Sequence, residues 1–387
     1  MIDQPGADEA MSHTDGMDLA AAWKAEAHHL GFDLVGLTSA EPPGHLDVYR
    51  AWLDAGRHAS MGYLAGERAL TRRSDLRRIL PACATVLAVG LRYPPPTRDG
   101  PIAAYAMAQD YHDAIPARLR TLVEWLEQRV GRSLPHRIYT DTGPLLEREL
   151  GQRAGLGWIG KNTCLIHPRL GSYFLLGEIL LTLSLPPDPP MVEDRCGRCT
   201  RCLEACPTGC IRPDRTLDAA RCLSYLTIEM RGDIPLPLRA AVGPWLFGCD
   251  VCQRVCPWNE RFAAPPEPAA WPRRPDLERL TARDFLDADP LQLRAWMRGT
   301  PLERPRRGGL LRNAAVVAGN SGDRSLAAPL ARQLTEDPEP SLRAHAAWAL
   351  GRLGGAQARA ALERSQAAER QADVLQEILD ALLGIAA

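Results

Sequence analysis

Lysine is almost missing from this 387-residue chain: of its 46 basic residues, all but Lys24 and Lys161 are arginine. A genome rich in G and C biases the count this way, yet Lys161 is conspicuous because the default cation here is the other one. Net charge is nearly absent as well, at -1 with histidine neutral. That excludes a globally basic nucleic-acid binder and leaves room for a local patch. No apolar run reaches the ~20 residues that a membrane-spanning helix needs. No apolar leader of secretory type opens the chain, so a reducing cytoplasm and no membrane are expected. Aromatic residues are few, at 6%, but a hydrophobic fraction of 45% is ordinary for a globular protein with room for two or three domains.

Cysteine is what the chain does have. It spells Cys196-x2-Cys199-x2-Cys202-x3-Cys206-Pro207, then Cys222, then Cys249-x2-Cys252-x3-Cys256-Pro257. Iron in a sulfide cluster takes four soft thiolates, and a Cys-x2-Cys-x2-Cys run wraps three corners of a cube with one loop. In two-cluster ferredoxins the cysteine before proline ligates the other cluster. That rule groups Cys196, Cys199 and Cys202 with Cys256, and Cys222, Cys249 and Cys252 with Cys206, for two 4Fe-4S clusters in an electron-carrying protein. The segment between Cys222 and Cys249 reads as an insertion hanging over the second cluster. Structural zinc also suits paired Cys-x2-Cys motifs, but it gives no reason for a second Cys-Pro. Disulfides do not suit a reducing compartment. Cys83 and Cys164 sit in apolar surroundings and read as core residues, and Cys210 follows the first run too closely to be needed.

Residues 1–17 are polar, acidic and aperiodic, and read as a disordered leader. Leu19, Ala22, Trp23, Ala27 and Leu30 share one helical face, and Gly31 stops that helix before a strand at Phe32–Leu37. Further strands are expected at Thr85–Leu91, Ile102–Met107, Arg137–Thr140 and Tyr173–Leu183, with helices near 46–55, 111–130 and 145–154. This alternation predicts an α/β domain over residues 18–187. The proline-rich run Pro186 to Pro190 leads into a ferredoxin-like two-cluster domain over 188–265, closed by a second such stretch from Ala264 to Pro275. An all-α tail over 276–387 contains the similar segments Leu311-Arg-Asn-Ala-Ala-Val-Val-Ala-Gly319 and Leu342-Arg-Ala-His-Ala-Ala-Trp-Ala-Leu-Gly351. Their period of about thirty residues predicts HEAT-like repeats, which lean on the rest of the protein.

Three constellations remain. Asp141 follows a strand and precedes Thr142-Gly143-Pro144, with Pro144 well placed as the first residue of a helix. A carboxylate at a strand's carboxyl end suits catalysis, and plain capping by Asp141 or Thr142 is the alternative. Gly155-Leu-Gly-Trp-Ile-Gly-Lys-Asn162 would let a flat ligand or phosphate approach, with Lys161 and Asn162 as donors, or is a loop packed by Trp158. Arg294, Arg298, Arg304, Arg306, Arg307 and Arg312, against the single acid Glu303, form a basic patch able to meet phosphates, or a solvated face. Asp110-x-His112 resembles the start of the Asp-x-His-x-x-Gly signature of one class of cobalamin proteins, but Ile115 stands in the glycine's place, so His112 reads as structural.

Tyr139-Thr-Asp-Thr-Gly143, Gly157-Trp-Ile-Gly-Lys-Asn162, the split cysteine motif and the HEAT-like tail together resemble the epoxyqueuosine reductase family, over nearly everything after residue 18. The resemblance implies a cytoplasmic, monomeric, cobalamin-dependent enzyme that reduces the epoxide of epoxyqueuosine at the tRNA wobble position to queuosine. It implies cobalamin between the first domain and the clusters, with no histidine on the cobalt. The second cluster would reduce that cobalt to Co(I), drawing on a low-potential electron donor. The catalytic acid falls on Asp141, whose ordinary pKa of about 3.9 burial beside the corrin must raise. Corrin contacts fall on Arg73, Asp141, Leu165, Leu176, Ser224 and Asp250, and Ala103 stands where some relatives carry cysteine. Two rivals are a corrinoid reductive dehalogenase, which normally has a twin-arginine leader and no repeat tail, and a non-enzymatic two-cluster electron-transfer subunit.

Overall fold

The computed structural model describes residues 13–96, 100–266 and 271–386. Residues 1–12 of the expected leader lie outside the described residues, whereas 13–17 already belong to α1 (His13–His29). Its Ala20, Trp23 and Ala27 are buried on one face, as their helical spacing requires. After it come β1 (Leu34–Ser39), α2 (Leu46–Asp54), α3 (Glu67–Ser74), β2 (Thr85–Arg92), α4 (Tyr111–Val130), β3 (His136–Tyr139) and α5 (Glu147–Arg153). A short hairpin of β4 (Trp158–Ile159) and β5 (Leu165–Ile166) precedes β6 (Phe174–Leu181).

The main sheet has the order β1-β2-β6-β3, and every neighbouring pair is antiparallel. The first domain is therefore mixed α and β on an antiparallel sheet, and the rule that puts chemistry at the carboxyl ends of parallel strands does not locate its site. The physical reason is burial on both faces. Leu87, Val89 and Leu91 of β2 pack with α1 and α4, while Val86 and Ala88 face the side of α5, so β2 reads as the unbroken apolar run usual for parallel strands. Each such valine or leucine contributes about 1.5–3 kcal/mol of burial. The expected strand Ile102–Met107 is a second correction: Ile102 makes an isolated bridge to Phe247, and Ala104–Ala106 is a 3-10 turn. Its apolarity reflects burial, not strand pairing.

Short helices, Arg201–Ala205, Val251–Arg254 and Pro257–Phe262, carry or flank the cysteines. The segment between Cys222 and Cys249 is also a bridge to the tail. Arg312, 2% exposed, donates to the carbonyls of Leu226 (2.7 Å), Met230 (3.1 Å) and Gly232 (2.6 Å). Asn313 Nδ2 donates to the carbonyls of Thr227 and Leu246, both at 2.8 Å. Arg312 thus leaves the expected surface patch for the interior.

The tail helices Arg306–Ser321, Ala327–Glu336, Pro340–Leu353, Gly355–Ala368 and Ala372–Ala386 stack as the repeat pattern predicts. Gly319 and Gly351, the matching ends of the two similar segments, lie where helices touch. A Cβ on Gly319 would sit 2.8 Å from Ala349 Cα, and one on Gly351 would sit 2.7 Å from Ala381 Cβ. Gly351→Val should therefore overpack that contact and cost about 1–3 kcal/mol, read as a lowered urea midpoint.

Candidate functional site

A cavity of about 1910 Å³ opens between the sheet domain, the bridging segment and the start of the tail. Arg73, Asp141 and Ser224 line it, together with Cys222. Leu165 and Asp250 are instead buried behind its wall, and Leu176 is half-buried there. Leu165 packs with Ala88 and Leu156, and Asp250 Oδ2 accepts the Ala104 N–H at 2.8 Å. Ala103 is buried, its methyl against Gly248.

Asp141 caps no helix. The chain leaves β3 at Tyr139 and α5 begins only at Glu147, so Pro144 is not its first residue. Asp141 takes a left-handed φ of 58°, a conformation costing on the order of 1 kcal/mol for a residue other than glycine. Its N–H donates to Glu147 Oε1 at 2.5 Å. Its side chain, 62% exposed, faces the cavity. There Oδ2 accepts from the Tyr111 hydroxyl at 3.0 Å and lies 3.4 Å from His112 Nε2, while His112 Nδ1 lies 2.7 Å from Asp110 Oδ1. The imidazole stacks on Tyr111 with ring centroids 4.0 Å apart.

His112, expected to be structural, therefore belongs to the site, and the electrostatics follow from it. Burial pushes His112 down, but hydrogen bonds to the carboxylates of Asp110 and Asp141 outweigh it and lift the imidazole to about 9. Burial pushes Asp141 up, but hydrogen bonds with His112 and Tyr111 outweigh it and hold the carboxyl below its ordinary value. Among the protein's own groups, at neutral pH the proton sits on His112 and the charge on Asp141. Burial, reinforced by Asp141, raises the Tyr111 phenol and keeps it a donor.

The loop Gly155–Asn162 turns its two donor side chains to the cysteine-rich segment. Lys161 Nζ donates to the carbonyls of Gly197 (2.8 Å) and Cys199 (2.9 Å), and Asn162 Nδ2 donates to that of Cys252 at 3.4 Å. It docks the cysteine-rich segment onto the sheet domain. Beside it Cys196, Cys199, Cys202 and Cys256 line a separate cavity of about 240 Å³. Cys206 Sγ lies 3.4 Å from Cys210 Sγ, and Cys210 also hydrogen-bonds with Cys222. Cys164, expected in a core, is half-buried and its thiol meets that of Cys252, while Cys83 is a core residue. Among the described residues no three His, Cys, Asp or Glu side chains converge tightly enough to clasp a single metal ion.

The arginine patch is dispersed. Arg304 is paired with Glu229 at 2.8 Å, and Arg307 with Asp337 (2.5 Å) and Glu339 (3.2 Å). Arg294, Arg298 and Arg306 remain exposed, and Arg306 lies on the cavity rim. Sequence reasoning missed Tyr111, Glu147 and Glu178. The available signal was Glu178 itself, a lone acid inside the apolar run Phe174–Leu181.

A curated epoxyqueuosine reductase from Pseudomonas aeruginosa is 37% identical over 364 residues, covering 92% of this chain and 99% of that protein. The chain belongs to the epoxyqueuosine reductase family. Its relative from Escherichia coli K12 is 36% identical over 346 residues, covering 86% of this chain and 89% of the relative. Residues 73–142 match the family model "Epoxyqueuosine reductase QueG, DUF1730", 195–259 match a 4Fe-4S double cluster binding domain, and 308–383 match HEAT repeats. A crystal structure of epoxyqueuosine reductase with an epoxyqueuosine-modified tRNA-Tyr stem loop superimposes with a TM-score of 0.87 at 28% identity, covering 96% of this chain and 99% of that one. The Bacillus subtilis epoxyqueuosine reductase, in a structure with its aspartate-bearing catalytic loop swung out of the active site, gives 0.80 at 28% identity, covering 95% and 99%. The protein is an oxidoreductase of this family, which sets aside the dehalogenase and carrier readings.

Folding lifts His112 from 6.5 to about 9. Its ion pairs therefore stabilise the protein fully below pH 6.5, and that contribution is lost as pH rises through about 9. The urea midpoint of the wild type should exceed that of His112→Asn near neutrality, with the margin closing in that window.

Proposed function

We propose that this chain deoxygenates epoxyqueuosine in tRNA, with Asp141 delivering a proton to the epoxide oxygen, bound cobalamin in the large cavity, and two 4Fe-4S clusters as its electron supply. The observation that carries this reading is the shared wall: Asp141, held between Tyr111 and His112, lines the same cavity as Cys222. Cobalamin fits the residues present. The cavity holds about 1910 Å³, and Arg73 Nη1 on its wall is buried without a hydrogen-bond partner, a donor suited to the amide carbonyls that rim a corrin. When bound, the cofactor supplies a strongly reducing, nucleophilic metal centre.

Converting an epoxide to an alkene consumes two electrons and two protons and releases water. Asp141 would pass a proton to the leaving oxygen, and His112, which holds a proton at neutral pH and lies 3.4 Å away, would reload it. Tyr111 fixes the carboxylate's orientation. Cys196, Cys199, Cys202 and Cys256 would hold the outer cluster, reached by a low-potential donor. Cys206, Cys222, Cys249 and Cys252 would hold the inner one, with Cys222 on the cavity wall. The thiolate set around its own cavity supports iron-sulfur over zinc. The protein would work as a cytoplasmic monomer, and among the described residues no helix is long and apolar enough to cross a membrane.

Reconstituted anaerobically, the protein should hold about eight iron atoms per chain, and Cys249→Ser about four. Given a low-potential reductant and epoxide-bearing tRNA, the wild type should yield a nucleoside lighter by one oxygen. Asp141→Asn should lose that turnover while keeping cobalamin and iron, and retained turnover would reject Asp141 as the acid. Arg294→Ala, Arg298→Ala and Arg306→Ala should each weaken tRNA binding and lower its logarithmic salt slope by about one.

A further inference from the structure

The carboxyls of Glu147 and Glu178 have no part in the chemistry above, yet they lie directly beneath it. Glu178 is fully buried in β6, with Ala88 of β2 on one side in register and Tyr139 of β3 on the other. Neither of its carboxyl oxygens has a hydrogen-bond partner of ordinary donor type. The group it meets is the carboxyl of Glu147, at the start of α5. Two carboxyls can hydrogen-bond only when one of them carries a proton. Glu147 Oε1 in turn accepts the N–H of Asp141 at 2.5 Å, the residue whose backbone is held at φ 58°.

We propose that Glu147 and Glu178 are positioning residues: they share one proton as an acid–carboxylate pair, and that pair pins the strained Asp141 loop so its side chain faces the cavity. The proposal rests on the reading of Asp141 as proton donor. A left-handed non-glycine backbone persists only where its surroundings over-determine it, and a hydrogen bond to a carboxylate is stronger than one to a neutral acceptor. The shared proton does two things at once. It satisfies Glu178, which cannot stay charged and unpartnered in a dry sheet, and it fixes the Glu147 oxygen that receives the Asp141 amide. The charged groups facing the pair are Asp141 across that bond and Arg148 beside Glu147 on α5. Burial, then repulsion from neighbouring carboxylates, raises both groups, Glu147 to about 7 and Glu178 well above the ordinary carboxyl range, so a proton remains in the pair at neutral pH.

The test compares Glu178→Gln, whose amide still donates to Glu147, with Glu178→Leu, which fills the space without a donor. Mass-spectrometric hydrogen exchange of the segment 139–146 is followed in the cofactor-free protein, and kcat and KM for tRNA in the loaded one. Glu178→Leu should exchange that segment at least tenfold faster and lose at least tenfold in kcat with KM little changed. Glu178→Gln should restore both. Wild-type exchange in Glu178→Leu, or a Glu178→Gln no better than Glu178→Leu, would overturn the proposal. The exchange readout needs neither cobalamin nor substrate, so its failure is distinct from a failure of the epoxide chemistry.

Discussion

A buried guanidinium holds the functional architecture together. Arg312 spends its donors on three carbonyls of the segment between Cys222 and Cys249, and Asn313 adds two more contacts beside it. Because Arg312 is 2% exposed, that segment cannot be solvated in its place, and its geometry is set by the first tail helix. The same segment supplies Ser224 and Tyr225 to the wall of the large cavity. The repeat tail therefore shapes the site from behind, through hydrogen bonds and not through a catalytic side chain.

On the opposite wall the problem is electrostatic. Asp110, His112, Asp141, Glu147 and Glu178 form a chain in which each acid is next to a donor or to another acid. Hydrogen bonds with His112 and Tyr111 let Asp141 keep its charge against the pull of burial, while burial with only another carboxyl beside it forces Glu178 to keep its proton. Two carboxyls on one wall thus end in opposite protonation states, and the difference is set by the partners each one meets.

Much of this was legible in the sequence because it is local. Cysteine spacing grouped Cys196, Cys199 and Cys202 with the distant Cys256, and the four line one cavity. Helical periodicity gave the tail and α1, and the strand reading located β2 and β6. What was not legible depends on partners far along the chain. Strand direction is invisible when a strand is buried on both faces, as β2 is. Arg312 reads as surface charge until Leu226, Met230 and Gly232 surround it. His112 was set aside because a motif was broken, but its role comes from Asp141, 29 residues later. Lys161 stands out in the sequence, but its acceptors, carbonyls of the cysteine loop, lie more than thirty residues away and are visible only in the fold.

The scarcity of lysine gives that last contact a practical meaning. Lys24 is tied to Asp188 at 2.6 Å, and Lys161 is tied to the loop carrying Cys196 and Cys199. Every side-chain amine of the chain is thus engaged at a junction between distant segments. Amine-directed acylation would map onto these two seams, and reactivity at Lys161 would report whether the cysteine-rich module is seated. The protein carries, in effect, its own built-in probe of assembly.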